Sequence, residues 1–419
     1  MTRSASHADA LALAEAWSHG LNLTALVRGA LAELPAGACD VVAIGKAAEE
    51  MARAAVEVLA TRAARVLVVT ETPPERGGVG EVWVGNHPVA GAASVAAGRR
   101  LVEFLDQSIG ATSTVFLVSG GASSLCVDPA PPMGLDDLAE VWRLALGAGL
   151  NITQLNRLRA STSLIAGGAV LRRVRTAYSR TLVMVDNVVS GAPWVASGLT
   201  YEYAPSRDDF GRVLEQMTPR TSPLGRVMVE AYERRALTMA VPAPSRHDNV
   251  VIAEPALMLE RTLSAARRAH YGVVSFGAAL HGDVETVVDE WANTLRDAVI
   301  ARSPVCLVGV GEVTVRVGVA GRGGRCQEFA WRMAPVLAAL ARPAIFVARA
   351  SDGRDFVEGV AGAWTDSTSF ERARALGLDW ADIAARHDSG SGLVALGQLL
   401  EGAHTGWNLC DLYLCLVEP

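Results

Sequence analysis

Short apolar runs rich in β-branched residues recur along this chain, and longer helical patterns separate most of them. The runs are DVVAI (40–44), RVLVV (65–69), TVFLV (114–118), TLVMV (181–185), NVVIA (249–253), GVVSF (272–276), VCLVG (305–309), VTVRV (313–317), AIFVA (344–348) and LYLCL (412–416). A strand that is apolar on both faces is covered on both faces, which is the signature of largely parallel sheets with helices packed above and below. Segments such as AAEEMARAAVEVLA (47–60) and ETVVDEWANTLRDAVIA (285–301) supply the helical repeat. The alternation therefore predicts an α/β architecture. At 419 residues the chain is long for one domain. The Pro-, Asp- and Arg-rich stretch 201–248 has few strand signals and suggests a boundary near residue 240, giving domains of 1–240 and 241–419.

The charge balance is 38 − 44 = −6 with no basic block, which argues against a nucleic-acid or anionic-membrane partner. Six scattered cysteines form no CxxC pair and indicate neither a zinc site nor a disulfide framework. The N-terminal segment reads as an amphipathic helix and not a signal peptide, and no apolar run reaches the ~18–20 residues of a membrane span. A cytoplasmic protein with a small-molecule partner is expected, and a homodimer is allowed.

Four stretches carry chemistry. The chain has 37 arginines and one lysine, Lys46, which follows strand 40–44 and Gly45 and opens a helix. A strand–glycine–helix junction offers N–H groups to an anion, and an ammonium adds a mobile point charge. The loop of VFLVSGGASSL places Ser119, Gly120 and Gly121 after a second strand, where backbone N–H groups could wrap a phosphate or a carboxylate. In GRGGRCQE, Arg325 opens a helix at the end that disfavours positive charge, so an anion is expected beside it. In ARASDGRDF, Asp352 and Asp355 follow a strand, where carboxylates could hold Mg²⁺ or take a hydroxyl proton. His87, in GNHPVAG, stands among turn residues, and both a structural and a catalytic role are open. The segment GSGLVA (390–395) fits a dinucleotide fingerprint in spacing only, because no strand precedes it.

Taken in order, AIGKAAEEMA, GNHPVAGAASVAAG, FLVSGGASSL, GLNITQLNRLRASTSLIAGG, VVSGAPWVASGLT, GEVTVRVGVAGRGGRCQE, SDGRD and HTGWNLCDL resemble the class II glycerate 2-kinases, the family containing the MOFRL domain. The resemblance runs nearly end to end. It implies a Rossmann-like N-terminal domain facing a smaller C-terminal α/β domain, with Lys46 and Arg325 on opposite walls of a cleft. It also implies transfer of the γ-phosphate of ATP, with Mg²⁺, to the 2-hydroxyl of D-glycerate. By the same resemblance Lys46, Arg325 and Asp352 are catalytic residues. Ser119, Gly120, Gly121, His87, Asn156, Arg159, Ser197, Glu312, Thr314 and Asn408 bind substrate or phosphate, and Asp186 and Asp355 bind metal.

The chain departs from the family at several of these places. Two adjacent aspartates of the family become Ser190 and Gly191, while Asp186 remains; two lysines become Ala160 and Ala166. A family asparagine is Cys326, and a later aspartate is Gly359. Losing two acids and two lysines from one cleft suggests a changed acceptor, with D-glycerate a poor substrate, and leaves the donor open as well. The rivals are a diverged enzyme of a specialised biosynthetic pathway and a non-catalytic binding protein. The retained lysine disfavours the second. Relatives of this family are sometimes labelled hydroxypyruvate reductases, and the missing dinucleotide fingerprint disfavours that activity.

Overall fold

The computed structural model describes residues 7–74, 77–188, 191–243, 245–298, 303–315, 321–340 and 342–418. They form two α/β units, each with its own six-stranded sheet.

The first sheet holds β1 (Cys39–Ile44), β2 (Ala63–Thr70), β3 (Glu81–Val84), β4 (Ser113–Val118), β5 (Tyr178–Met184) and β6 (Arg246–Ala253). Its order is β3-β2-β1-β4-β5-β6, and every pairing is parallel. In this doubly wound order the winding reverses between β1 and β4, and a crevice opens beyond the carboxyl ends of those two strands. Both are buried along their whole length, as continuous apolar runs require. The helix Ala48–Leu59 follows β1 and buries Ala48, Met51, Ala52, Ala55 and Leu59, a stripe at helical spacing. Glu49 and Glu50 sit in its first turn, where negative charge is favoured. At the opposite end of β1, the buried Asp40 carboxylate is held by the Arg65 guanidinium and by the Ser108 hydroxyl.

The second sheet holds β7 (Gly272–Asp283), β8 (Val305–Thr314), β9 (Ala344–Ala350), β10 (Val360–Asp366), β11 (Leu399–Glu401) and β12 (Asp411–Val417). Its order is β11-β10-β9-β12-β8-β7, antiparallel except for the β7–β8 pair. Because β12 runs against β8 and β9, its first residue, Asp411, lies opposite Gly311 of β8 and Ala350 of β9. The helix Arg325–Ala339 is buried on almost every side and packs its Phe329 among aromatic rings. The Phe329 centroid stands 5.7 Å from Trp291, 4.8 Å from Phe346 and 4.9 Å from Tyr413.

The sequence runs 305–309 and 313–317 belong to one strand, β8, as far as Thr314; residues 316–317 lie outside the described residues. Three strands carried no usable signal: β3 and β11 are short sheet edges, and β10 is broken by Gly362. The compact units are Asn22–Asp186 with Ser190–Ala253, and Met1–Leu21 with Asn187–Val189 and Glu254–Pro419. The sequence placed the boundary near 240, whereas β6 pairs with β5 and the chain passes to the other unit after Ala253. The helix His7–Glu15 packs with the C-terminal unit, its Glu15 3.1 Å from Arg349.

Phe329→Ala removes the ring on which three other aromatics converge, and should cost about 3–5 kcal/mol. Denaturant unfolding of the variant measures this, and a loss below about 1 kcal/mol would show that the cluster does not hold the second unit together.

Candidate active site

In the N-terminal unit the site grows from the contact between the loops that follow β1 and β4. Gly45 has φ +130°, and a Cβ there would collide with the Ser119 hydroxyl and main chain. Without a side chain, the two loops close on each other. The Ser119 amide donates to Ile44 O (3.1 Å), the Lys46 amide donates to Gly120 O (2.8 Å) and the Ala47 amide donates to Ser119 Oγ (3.0 Å). The amides of Lys46, Ala47 and Ala48 at the start of this helix are therefore already taken. The open ones belong to the other loop. Among the described residues, the amides of Gly120, Gly121, Ala122 and Ser123 have no acceptor, and Gly121 is left-handed at φ +81°. Successive unpaired N–H groups around a left-handed residue form an anion-binding concavity.

Lys46 and His87 flank this concavity. A Cβ built on Gly121 would lie 3.2 Å from Lys46 Cγ and 3.4 Å from the His87 ring. The Lys46 ammonium has no hydrogen-bond or ion-pair partner among the described residues, so its charge is not neutralised. His87 Nδ1 lies 3.3 Å from Glu71 Oε1, which orients the ring.

Beside the loop lies a cavity of about 70 Å³, lined by Ile44, Ala122, Ser123, Arg159, Ala166 and Ser197 together with apolar side chains. Ser197 is left-handed at φ 52°, as is Ala196 before it at φ 55°. Such backbone costs of order 1–3 kcal/mol per residue and persists where surrounding bonds impose it. Here the Ser197 hydroxyl bonds Ser123 Oγ (2.9 Å) and Asn156 Oδ1 (3.1 Å). Arg159 stacks over the Trp142 ring, 5.0 Å from its centroid, and burial pulls its pKa down to about 10. No carboxylate pairs with it among the described residues. Asp186 follows β5, partly exposed.

In the C-terminal unit Arg325 is held by carboxylates. Its Nη2 donates to Glu312 Oε1 (2.7 Å) and to Asp411 Oδ1 (3.1 Å), and its Nε donates to Asp411 Oδ2. Burial works against its charge, and Asp411 and Glu312 more than offset this and raise its pKa. The Tyr413 hydroxyl in turn donates to Asp411 Oδ2 (3.0 Å). The anion expected at this helix start is Asp355. Its carboxylate accepts the amides of Cys326 (3.1 Å) and Gln327 (2.9 Å) and the Gln327 side chain (3.0 Å). A Cβ on Gly324 would collide with that carboxylate, which accounts for the glycine. Burial is the main reason that the Asp355 pKa rises to about 6, with the Asp411 charge second. Asp352 accepts the Arg354 amide (2.9 Å), Thr314 is exposed at the end of β8, and Asn408 is buried just before β12.

The family described as "Domain of unknown function (DUF4147)" matches residues 12–230, and the MOFRL family matches residues 305–411. This chain belongs to the DUF4147 family. It is 28% identical over 382 residues to a Thermotoga maritima protein named D-glycerate 2-kinase, covering 90% of each chain. It is 27% identical to a Pyrococcus horikoshii glycerate 2-kinase, covering 91% of this chain and 88% of that protein. An Agrobacterium vitis protein named putative hydroxypyruvate reductase is 29% identical, over 92% of this chain and 89% of its own length. A crystal structure of glycerate kinase from Thermotoga maritima superposes with a TM-score of 0.85 at 26% identity, covering 97% of this chain and 98% of that one.

Within the DUF4147 segment, the structure brings Lys46, His87 and the Ser119–Gly121 loop to one place, and joins Asn156 to Ser197. Of the family departures, Ala166 lines the cavity, Ala160 is buried against Gly167 and away from it, and Ser190 lies outside the described residues. Cys326 is fully buried, and burial keeps its thiol protonated. The GSGLVA segment lies in the helix Ser389–Leu396, with the helix Trp380–Ala385 before it and no strand between them. Sequence reasoning missed Ser123, Glu71 and Tyr413. Each acts through a partner distant in sequence, and none stands in a motif of its own.

Asp355 gives the fold a pH dependence. A raised carboxylate pKa means that the folded chain binds the proton more tightly than the unfolded chain does. The contribution is fully present below about pH 4 and is lost as pH rises through about 6. The stability of the wild type relative to Asp355→Asn should therefore fall by roughly 3 kcal/mol at most between pH 4 and 7. Urea unfolding across that range measures it, and a difference that does not change with pH would contradict the assignment.

Proposed function

We propose that this chain is a glycerate 2-kinase-like phosphotransferase that moves a phosphoryl group from a nucleotide to the hydroxyl of a small hydroxylated acid. The observation that carries the reading is Lys46, unneutralised and with its stem against Gly121, together with four unpaired backbone amides at the reversal of the first sheet. Phosphoryl transfer asks little covalent chemistry of a protein. It needs the phosphate positioned and its developing charge stabilised by groups fixed in advance. The amides of Gly120–Ser123 hold the phosphate, and Lys46 follows it as it moves. His87, oriented by Glu71, donates to the same anion. Arg325, which the resemblance makes a second positive group, is pre-oriented within its own unit by Asp411 and Glu312. By the same resemblance Asp352 is the residue proposed to take a hydroxyl proton.

ATP with Mg²⁺ is the proposed donor. Among the described residues no group of three or more His, Cys, Asp or Glu side chains could hold a metal ion. This suits Mg²⁺, which commonly binds to one or two carboxylates plus substrate phosphates. Asp186 would supply the carboxylate, whereas the oxygens of Asp355 are engaged at the helix start. The ion would neutralise phosphate charge. All six cysteines are thiols, and no helix among the described residues is long and apolar enough to cross a membrane. Both observations support a cytoplasmic enzyme.

Lys46→Arg keeps the charge but changes its shape and reach, and should lower kcat by about 10²–10³-fold with an unchanged melting temperature. A coupled ADP-release assay with ATP, Mg²⁺ and a panel of hydroxy acids measures it. Near-wild-type turnover in the variant would sink the reading.

A further inference from the structure

The cavity beside the phosphate loop has a chemical character that glycerate does not need. Most of its wall is apolar, built by Met133, Leu138, Val141, Trp142, Leu155 and Ile165. Its polar groups are nearly all satisfied within the chain. Thr162 Oγ1 donates to Leu158 O (3.0 Å), and Ser163 Oγ accepts the amides of Ile165 (3.2 Å) and Ala166 (3.1 Å). The Ser123 and Ser197 hydroxyls bond each other. Asp128 also reaches the wall. Burial raises its pKa, Arg173 and Arg99 are the cations that act on it, and it does not pair with Arg159.

The Asp128 carboxylate and Arg159 are the exceptions, and of the two Arg159 is the group that would attract an anion. Its guanidinium lies in an apolar pocket, stacked on Trp142, with no hydrogen-bond or ion-pair partner among the described residues. A half-buried cation without a counter-charge gains when an anion arrives to pair with it. A guanidinium presents a planar fork that matches a carboxylate.

We propose that this cavity is the acceptor subsite for a hydroxy acid bearing a short aliphatic chain, with its carboxylate on Arg159 and its chain against the apolar wall. The inference rests on the phosphotransferase reading for the chemistry and on the cavity for the substrate class. Size sets the chain length. An engineered apolar cavity of about 150 Å³ admits benzene, so about 70 Å³ admits three or four carbons. Ala166 leaves this room where the resembled family has a lysine. Ser123 sits on the cavity wall and in the phosphate loop, so an acid seated here has its hydroxyl end beside that loop.

The test separates binding from chemistry. Calorimetric titration of the wild-type chain compares 4-methylpentanoate, which has no hydroxyl to phosphorylate, with propanoate and with 4-methylpentan-1-ol. The acid should bind at least about tenfold more tightly than either, because propanoate lacks the chain and the alcohol lacks the carboxylate. Arg159→Met and the cavity-filling Ala166→Leu should each weaken it by about tenfold or more, with melting temperatures recorded alongside. Equal binding of all three probes by the wild type overturns the subsite without reference to any variant. In the ADP-release assay, 2-hydroxy-4-methylpentanoate should exceed D-glycerate in kcat/KM by about tenfold or more. Turnover of D-glycerate without tight 4-methylpentanoate binding overturns the subsite and leaves the phosphotransferase standing. Tight binding with no ADP release from any hydroxy acid supports the subsite and overturns the phosphotransferase.

Discussion

The N-terminal site depends on one close contact, the approach of the loop after β1 to the loop after β4 where the sheet reverses its winding. Gly45 permits it because a side chain there would occupy the space of Ser119. Once the loops meet, the Ser119 hydroxyl and the Gly120 carbonyl satisfy the amides of Ala47 and Lys46. The amides that lead into the helix after β1 are thereby engaged, while those of Gly120–Ser123 are left without an acceptor. A backbone nest has no side chain to reorganise, which suits a group that must hold phosphate in one position while charge moves across it. The same contact sets the Lys46 stem against Gly121, so the lysine stem and the nest are placed by a single piece of packing.

The C-terminal unit solves a different electrostatic problem. Arg325 starts a helix, where positive charge is disfavoured. Two separate carboxylate arrangements offset this. Asp355 caps the first-turn amides, while Asp411 and Glu312 hold the guanidinium itself. The antiparallel pairing of β12 with β8 and β9 is what brings Asp411 to the end of the sheet where the Arg325 helix begins. Tyr413, two residues further along β12, fixes the Asp411 carboxylate by donating its hydroxyl to it.

Much of this was legible in the sequence, for physical reasons. Buried parallel strands must be apolar on both faces, so β1, β4 and β5 announced themselves, and a strand–glycine–lysine junction marked the first loop. The lone lysine drew attention through residue type alone. What the sequence could not show was which of two adjacent loops keeps its amides open, because that depends on the Gly45–Ser119 contact between residues far apart in the chain. Asp355 read as a metal ligand by position, whereas its engagement by Cys326 and Gln327 appears only in three dimensions. The cavity was invisible for the same reason. Its wall gathers residues from Ile44 to Leu199, and nothing local marks Trp142 as the surface on which Arg159 stacks.

The central claim is that Lys46 and the Gly120–Ser123 amides together hold the transferring phosphate. A crystal structure of the wild-type chain soaked with a non-hydrolysable ATP analogue tests it most directly. The account predicts terminal phosphate oxygens within about 2.7–3.2 Å of amides of Gly120–Ser123 and of Lys46 Nζ. An analogue bound with its phosphates on other residues, and the Ser119–Ser123 loop left empty, would contradict it.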